Sequence, residues 1–170
     1  MATRTSLVDT LSLGDPAFAH NFDLYFPTIP GLADTRHLTF ACQSTSLPGF
    51  GVEVGEVLLH GVKIPYAGAA TFTQSLQVTM VMSADWKIRD AFRAWKDRMR
   101  NWRTNTGLLS AEYCIDPQIV LWDDRPNVVR TIQIYRAFIE TFDDVQLDGS
   151  SGANVITASI TLRYTDHEDI

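Results

Sequence analysis

The stretch from Thr71 to Trp102 constrains the fold most, because two different hydrophobic periods stand back to back in it. Phe72, Leu76, Val78, Met80 and Met82 share one parity, and Thr71, Thr73, Ser75, Gln77 and Thr79 share the other. A period of two predicts a strand over Phe72 to Met82 with one core face and one hydroxyl- and amide-rich face that carries no charge. Then Ile88, Phe92, Trp95, Met99 and Trp102 recur at spacings of four, three, four and three, the stripe of an amphipathic helix. Ser83 or Asp85 can cap that helix, and Asn105 to Gly107 stops it.

Further strands are read on either side. Phe22, Leu24 and Phe26 alternate in Asn21 to Phe26, and Pro27, Pro30 and Gly31 break the run. A second strand is expected over His37 to Ser46, with Leu38, Phe40 and Cys42 pointing one way. After the turn Leu47-Pro48-Gly49 comes an extended segment, Val52 to His60, whose continuous run Val57-Leu58-Leu59 asks for cover on both faces. His60-Gly61 can reverse the chain into Val62 to Tyr66, making a hairpin whose Pro65 confines its second arm to an edge. Ile119 to Trp122 and Val128 to Phe138 flank the turn formers Asp123 to Asn127 and read as another hairpin. In Asp143 to Asp148, Val145 and Leu147 are expected to turn inward. Gly149-Ser150-Ser151-Gly152 is a flexible connection to a last strand, Ile156 to Tyr164.

The expected fold is therefore mainly β: an antiparallel barrel or sandwich with one amphipathic helix packed on it. Residues 1–170 read as one domain with an arm up to Pro16 and an acidic, mobile tail from Thr165 to Ile170. A chain of 170 residues buries about 70% of its unfolded surface, so a core without staples is possible. No run approaches a membrane span, and Met1 to Thr10 has no apolar signal region.

Chemistry is sparse. The net charge of -6 argues against nucleic-acid binding by counterion release. Half of the 14 basic residues fall between Lys87 and Arg103, and Arg89, Arg93, Lys96, Arg100 and Arg103 form a stripe beside the apolar one. That stripe is either a solvated face whose stems cover the core edge or a docking strip for an acidic partner, such as another copy of this acidic chain. Cys42 and Cys114 have no bridge or ligand spacing and read as buried free thiols. His20, His37, His60 and His167 have no partner at metal or triad spacing. Gly49-Phe50-Gly51 lacks the Lys and helix of a phosphate loop, and Asp123-Asp124 and Asp143-Asp144 read as solvated turn residues. No enzyme, metal or cofactor is expected.

The order of elements resembles the tail tube proteins of contractile-tailed bacteriophages and related contractile injection systems. The residues that carry the likeness are Ser44 to Gly49, Val52 to Glu56, the hairpin Val57 to Ala67, and Thr71-Phe72-Thr73 leading into Trp86 to Trp95. Tyr135 to Phe138, Asp148 and Ile160 to Tyr164 continue it. The resemblance implies a virion structural protein assembled in the host cytoplasm. Six copies would form a ring, and rings would stack into a hollow tube that conducts DNA or effectors. It implies tail sheath and baseplate or neck proteins as partners, and no membrane. The ending Thr165 to Ile170 replaces an aromatic ending usual in that family, and the arm up to Pro16 is long, so a specialised initiator or terminator ring is the alternative. A monomeric β-barrel ligand-binding module is the alternative from a different class.

On this reading the hairpin residues Val52, Val54, Val57, Leu58, Leu59, Ile64 and Tyr66 contact other copies. Thr71, Thr73, Ser75, Gln77 and Thr79 face the lumen, and the basic stripe lies outside.

Overall fold

The computed structural model of the protein describes residues 18–29, 35–147 and 155–170. The expected arm up to Pro16, the break at Pro30-Gly31 and the connection 149–152 lie outside these residues. Ten strands and three helices follow one another among the described residues: β1 (Phe22–Tyr25), α1 (Arg36–Ala41), β2 (Cys42–Thr45), β3 (Phe50–Leu59), β4 (Val62–Phe72), β5 (Ser75–Val81), α2 (Lys87–Met99), α3 (Ser110–Tyr113), β6 (Gln118–Trp122), β7 (Val128–Tyr135), β8 (Phe138–Phe142), β9 (Thr157–Arg163) and β10 (Asp166–Asp169).

Two antiparallel four-stranded sheets form, in the orders β1-β6-β7-β10 and β2-β5-β9-β8, and β3 and β4 make a separate two-stranded ribbon. Alternation puts Leu24, Ile119, Ile132 and Ile134 of the first sheet against Leu76, Val78, Met80, Ile160 and Leu162 of the second, all in one buried cluster. The architecture is a sandwich: each sheet keeps two edges, and no barrel closes among the described residues.

Helix α2 covers one end of this core. Ile88, Phe92 and Trp95 are buried, Phe92 meets Phe26 edge-on at 6.3 Å, and the Trp95 indole N–H donates to the Tyr113 carbonyl at 2.8 Å. The helix ends at Met99, one turn earlier than the apolar stripe suggested, so Trp102 lies beyond it and is 69% exposed. Asn105, at φ 54°, turns the chain after the helix, and its side chain accepts from Arg100 Nε at 2.9 Å.

Four other expectations are corrected. His37 to Ser46 is not one strand: residues 36–41 coil into α1 with only Leu38 buried, so Phe40 stands out at 85% exposure, and Cys42–Thr45 alone pairs with β5. The expected strand Val128 to Phe138 breaks at Arg136, whose φ of 54° is held by its N–H donating to Asp116 at 2.6 Å. Phe138 then starts β8 in the other sheet. Leu147 does not turn inward; it is 71% exposed, while Val145 packs against the core. The tail is not loose, because Asp166–Asp169 pairs with β7, with Arg130 bonded to Asp169 at 2.9 Å and Tyr135 to Glu168 at 3.0 Å.

Candidate assembly surface

The ribbon β3–β4 is longer than its sequence pattern suggested. Pairing continues from Leu59↔Val62 at the tip to Phe50↔Phe72 at the base, so Thr71 and Phe72 belong to the ribbon and the long core strand starts only at Ser75. The tip is the two-residue turn expected at His60-Gly61, with φ of 50° and 81°, the paired left-handed conformations that match strand twist. Of the ten and eleven strand residues, only Gly55 is not exposed.

Residues paired across an antiparallel ladder share a face. One face of the ribbon tip therefore carries Val57, Leu59, Val62, Ile64 and Tyr66, and the other carries Glu56, Leu58, Lys63 and Pro65. Tyr66 lies flat over Gly55; a Cβ there would come within 2.3 Å of the ring. On the other face the Lys63 ammonium meets Glu56 at 3.0 Å. A bulge between Val52 and Val54 separates this tip from a base where Phe50, Val52, Val54 and Phe72 share a face. Phe72 ties the base to the sandwich, stacking on Tyr164 at 6.4 Å and meeting His167 edge-on at 5.5 Å. All seven hairpin positions singled out in the sequence lie in the ribbon and are exposed, but on two faces: Val57, Leu59, Ile64 and Tyr66 on one, joined by Val62, and Val52, Val54 and Leu58 on the other, joined by Phe50. Phe50 was missed because, set between Gly49 and Gly51, it reads as part of the turn rather than as the first residue of the strand.

The five expected lumen residues are split. Ser75, Gln77 and Thr79 lie on the face of β5 away from the core, whereas Thr71 pairs with Gly51 in the ribbon and Thr73 lies in the link between β4 and β5. Cross-strand pairing widens the polar face instead through β9, as Gln77↔Thr161 and Thr79↔Ser159. Its ionised groups, Arg163 and Glu140, neutralise each other at 2.7 Å. The period-two pattern of β9 already signalled these hydroxyls.

The basic row also divides. Arg89, Arg93 and Lys96 stand on the solvent side of α2, with Arg89 over the Trp86 ring at 6.0 Å, whereas Arg100 caps the helix end and Arg103 lies past it, over Trp102 at 5.1 Å. At the other end Ser83 and Lys87 both bond Asp85, which holds its carboxyl far below the usual range, Lys87 contributing most. Asp123 accepts from the backbone of Arg125 and Asn127 and from the Asn127 amide at 2.7–3.0 Å, so it is consumed in its turn. No group of three or more potential metal ligands occurs among the described residues, and none of their helices is long and apolar enough to cross a membrane. The exposed surface offers apolar contact and backbone edges rather than a converging set of reactive groups.

The sequence profile of the phage tail tube proteins matches residues 16–169. The chain belongs to the phage tail tube protein family. No curated protein matches it in sequence. In fold, this tail tube protein is similar to a chain of the anti-feeding prophage (AFP) baseplate, seen by cryo-EM with six-fold symmetrisation, at 20% identity and a TM-score of 0.65 over 92% of this chain and 97% of that one. It is similar to a chain of the sheath/tube terminator of the extracellular contractile injection system PVC in its extended state, at 15% identity and 0.65 over 93% and 99%. A chain of the PVC sheath-tube complex gives 15% identity and 0.62 over 98% and 99%. As a member of this family the protein is a structural component of a tail tube, not an enzyme.

Proposed function

We propose that six copies of this tail tube protein close into a ring, that rings stack into the hollow tube of a contractile tail, and that the β3–β4 ribbon makes the principal contact between copies. The observation that carries this is a ribbon of twenty-one strand residues exposed almost throughout and apolar on alternate halves of its two faces. Ten residues of strand extend roughly 34 Å. Two faces about 10 Å wide then offer about 700 Å², close to the ~800 Å² per partner of a stable interface. A head-to-tail contact of this kind, repeated, closes into a ring when the rotation from one copy to the next divides a full turn. The six-fold symmetry of the AFP baseplate supports the number of copies.

The outer face of β5 and β9 lines the lumen. Its hydroxyls and its self-neutralised Arg163–Glu140 pair give a wall that does not hold the phosphates of passing DNA. Arg89, Arg93 and Lys96 lie outside, where sheath, baseplate or neck proteins dock, in a virion tail assembled in the host cytoplasm. A second reading, a ring at the end of the tube, is supported by the likeness to the AFP baseplate and PVC terminator chains.

Negative-stain microscopy of the purified protein tests both readings. Tubes support the repeating subunit, and single rings that do not stack support the end ring. A strict monomer at all accessible concentrations refutes ring formation, and a structure of the ring with Arg93 lining its channel refutes the assignment of faces.

A further inference from the structure

The ribbon tip has one apolar face and one face that carries an ion pair, so it needs an acceptor that is apolar on one side only. The second sheet has such a place beside its edge strand β2. Where α1, the end of β5 and the start of α2 meet, a groove of about 480 Å³ opens, floored by the buried side chains of Leu38, Met82 and Ile88. Phe40, 85% exposed, forms its lip, and the ion-paired Lys87 and Asp85 stand at its rim. This groove is mostly apolar, whereas three other cavities, beside Asn21 and Trp122, beside Met99 and Tyr113, and beside Asp97 and Asn101, are of mixed polarity. An exposed aromatic at the mouth of an apolar groove extends the groove into one continuous apolar patch, the mark of a contact surface.

Resting on the proposed ring assembly, we infer that this groove receives the ribbon tip of a second copy. Val57, Leu59, Val62 and Ile64 enter it and cover Phe40, while Glu56 and Lys63 keep their ion pair to each other on the reverse face. The fit has three parts. The apolar face of the tip matches an apolar floor. The rim's Asp85–Lys87 pair and the tip's Glu56–Lys63 pair are each internally neutral, so their approach brings no uncompensated charge together. Among the described residues, β2 beside the groove is an edge strand and each ribbon strand has an outer edge without a partner strand, so both offer backbone groups for pairing. Groove and tip are different surfaces of one chain, so the contact is head-to-tail and each copy both gives and receives.

The test is a cross-link. Phe40→Cys and Leu59→Cys are placed together in a chain that also carries Cys42→Ser and Cys114→Ser, and the assembled protein is oxidised and run on a non-reducing gel. A ladder of covalent dimers and higher species is expected, absent when Phe40→Cys is replaced by Val129→Cys, a site 66% exposed on β7. Assemblies that form without a ladder, or with an equal ladder from Val129→Cys, overturn the inference and leave the ring intact. A species cross-linked within one chain overturns it too, by showing that the groove holds its own chain.

Phe40→Ala gives an independent readout, since an exposed residue can be truncated without harming the fold. It is expected to raise the concentration needed for assembly by about tenfold or more while the thermal midpoint of the unassembled subunit, measured below that concentration, is unchanged. Assembly equal to wild type overturns the groove as acceptor. A wild-type protein that never assembles overturns the proposed function and this contact with it.

Discussion

Replacing Leu58 and Leu59 together by Asp tests the ribbon most directly, because the two side chains point to opposite faces and both faces are asked to lie against a neighbour. Leu58 is 66% and Leu59 53% exposed in the subunit. Burying a whole leucine is worth about 1.5–3 kcal/mol, so covering the exposed parts is worth about 1–2 kcal/mol for Leu58 and about 0.8–1.6 kcal/mol for Leu59. The loss is then about 2–3.5 kcal/mol per contact. With tenfold per 1.4 kcal/mol, the concentration at which rings form should rise roughly 30- to 300-fold. The cost of taking two carboxylates out of water makes this a lower bound. The subunit itself should hardly notice, since the ribbon contributes nothing to the buried cluster and the pair Leu59↔Val62 is worth at most about 1 kcal/mol. Sedimentation velocity over a concentration series measures the shift, and circular dichroism melts check the fold. Rings forming within threefold of the wild-type concentration, from a folded double variant, would show that the ribbon is not the contact.

Three further outcomes follow from the geometry. Gly55→Ala places a Cβ where the Tyr66 ring lies, so the ring must swing off the ribbon; assembly should weaken by roughly three- to tenfold, and Gly55→Ala should have no further effect in a Tyr66→Ala background. Trp95→Phe, measured in the non-assembling Leu58→Asp, Leu59→Asp chain, removes a fully buried indole and leaves the Tyr113 carbonyl without its donor. A loss of about 2–4 kcal/mol by urea unfolding is expected, and a loss below about 1 kcal/mol would contradict the packing. Burial, and after it the charge of Asp23, pushes the Cys42 thiol up to about 11. Its thiolate at neutral pH should be about a hundredfold scarcer than that of an ordinary thiol, slowing alkylation accordingly. The thiol's contribution to stability is complete below the unfolded-state value and is lost as pH rises from there toward 11, so the Cys42→Ser chain should show a shallower loss in that window.

Much of the sandwich was legible because its strands obey a strict period. Leu76 to Met80 and Ala158 to Leu162 could be assigned a core face by parity alone, and the His60-Gly61 turn followed from its sequence. Other elements were not legible, for distinct reasons. Leu38, Phe40 and Cys42 alternate as a strand would, yet the six residues of α1 coil because only Leu38 has a place in the core. Arg136 gives no local sign of its left-handed backbone, which depends on Asp116 twenty residues earlier. β10 is nearly all acidic, a composition poor in strand propensity, and is ordered by β7 through Arg130 and Tyr135. The ribbon was underestimated at its base, where Ala67, Gly68, Ala69 and Ala70 carry no β-branched signal. Of the candidate surface, the hairpin tip was readable and the groove was not, since its walls come from three elements that touch only in the fold.

The same ribbon also bears on the life of the subunit before it joins a tube. A free copy presents Val57, Leu58, Leu59, Val62 and Ile64 on a two-stranded sheet whose outer edges pair with no other strand among the described residues, which is the template for unselective strand stacking. Lys63 and Glu56 are the gatekeepers at the tip, and Pro65 denies one edge a donor. Solubility and assembly therefore draw on the same side chains. Removing those gatekeepers should turn the unassembled pool into amorphous precipitate, so the tip is tuned to be sticky toward one surface while it waits in solution.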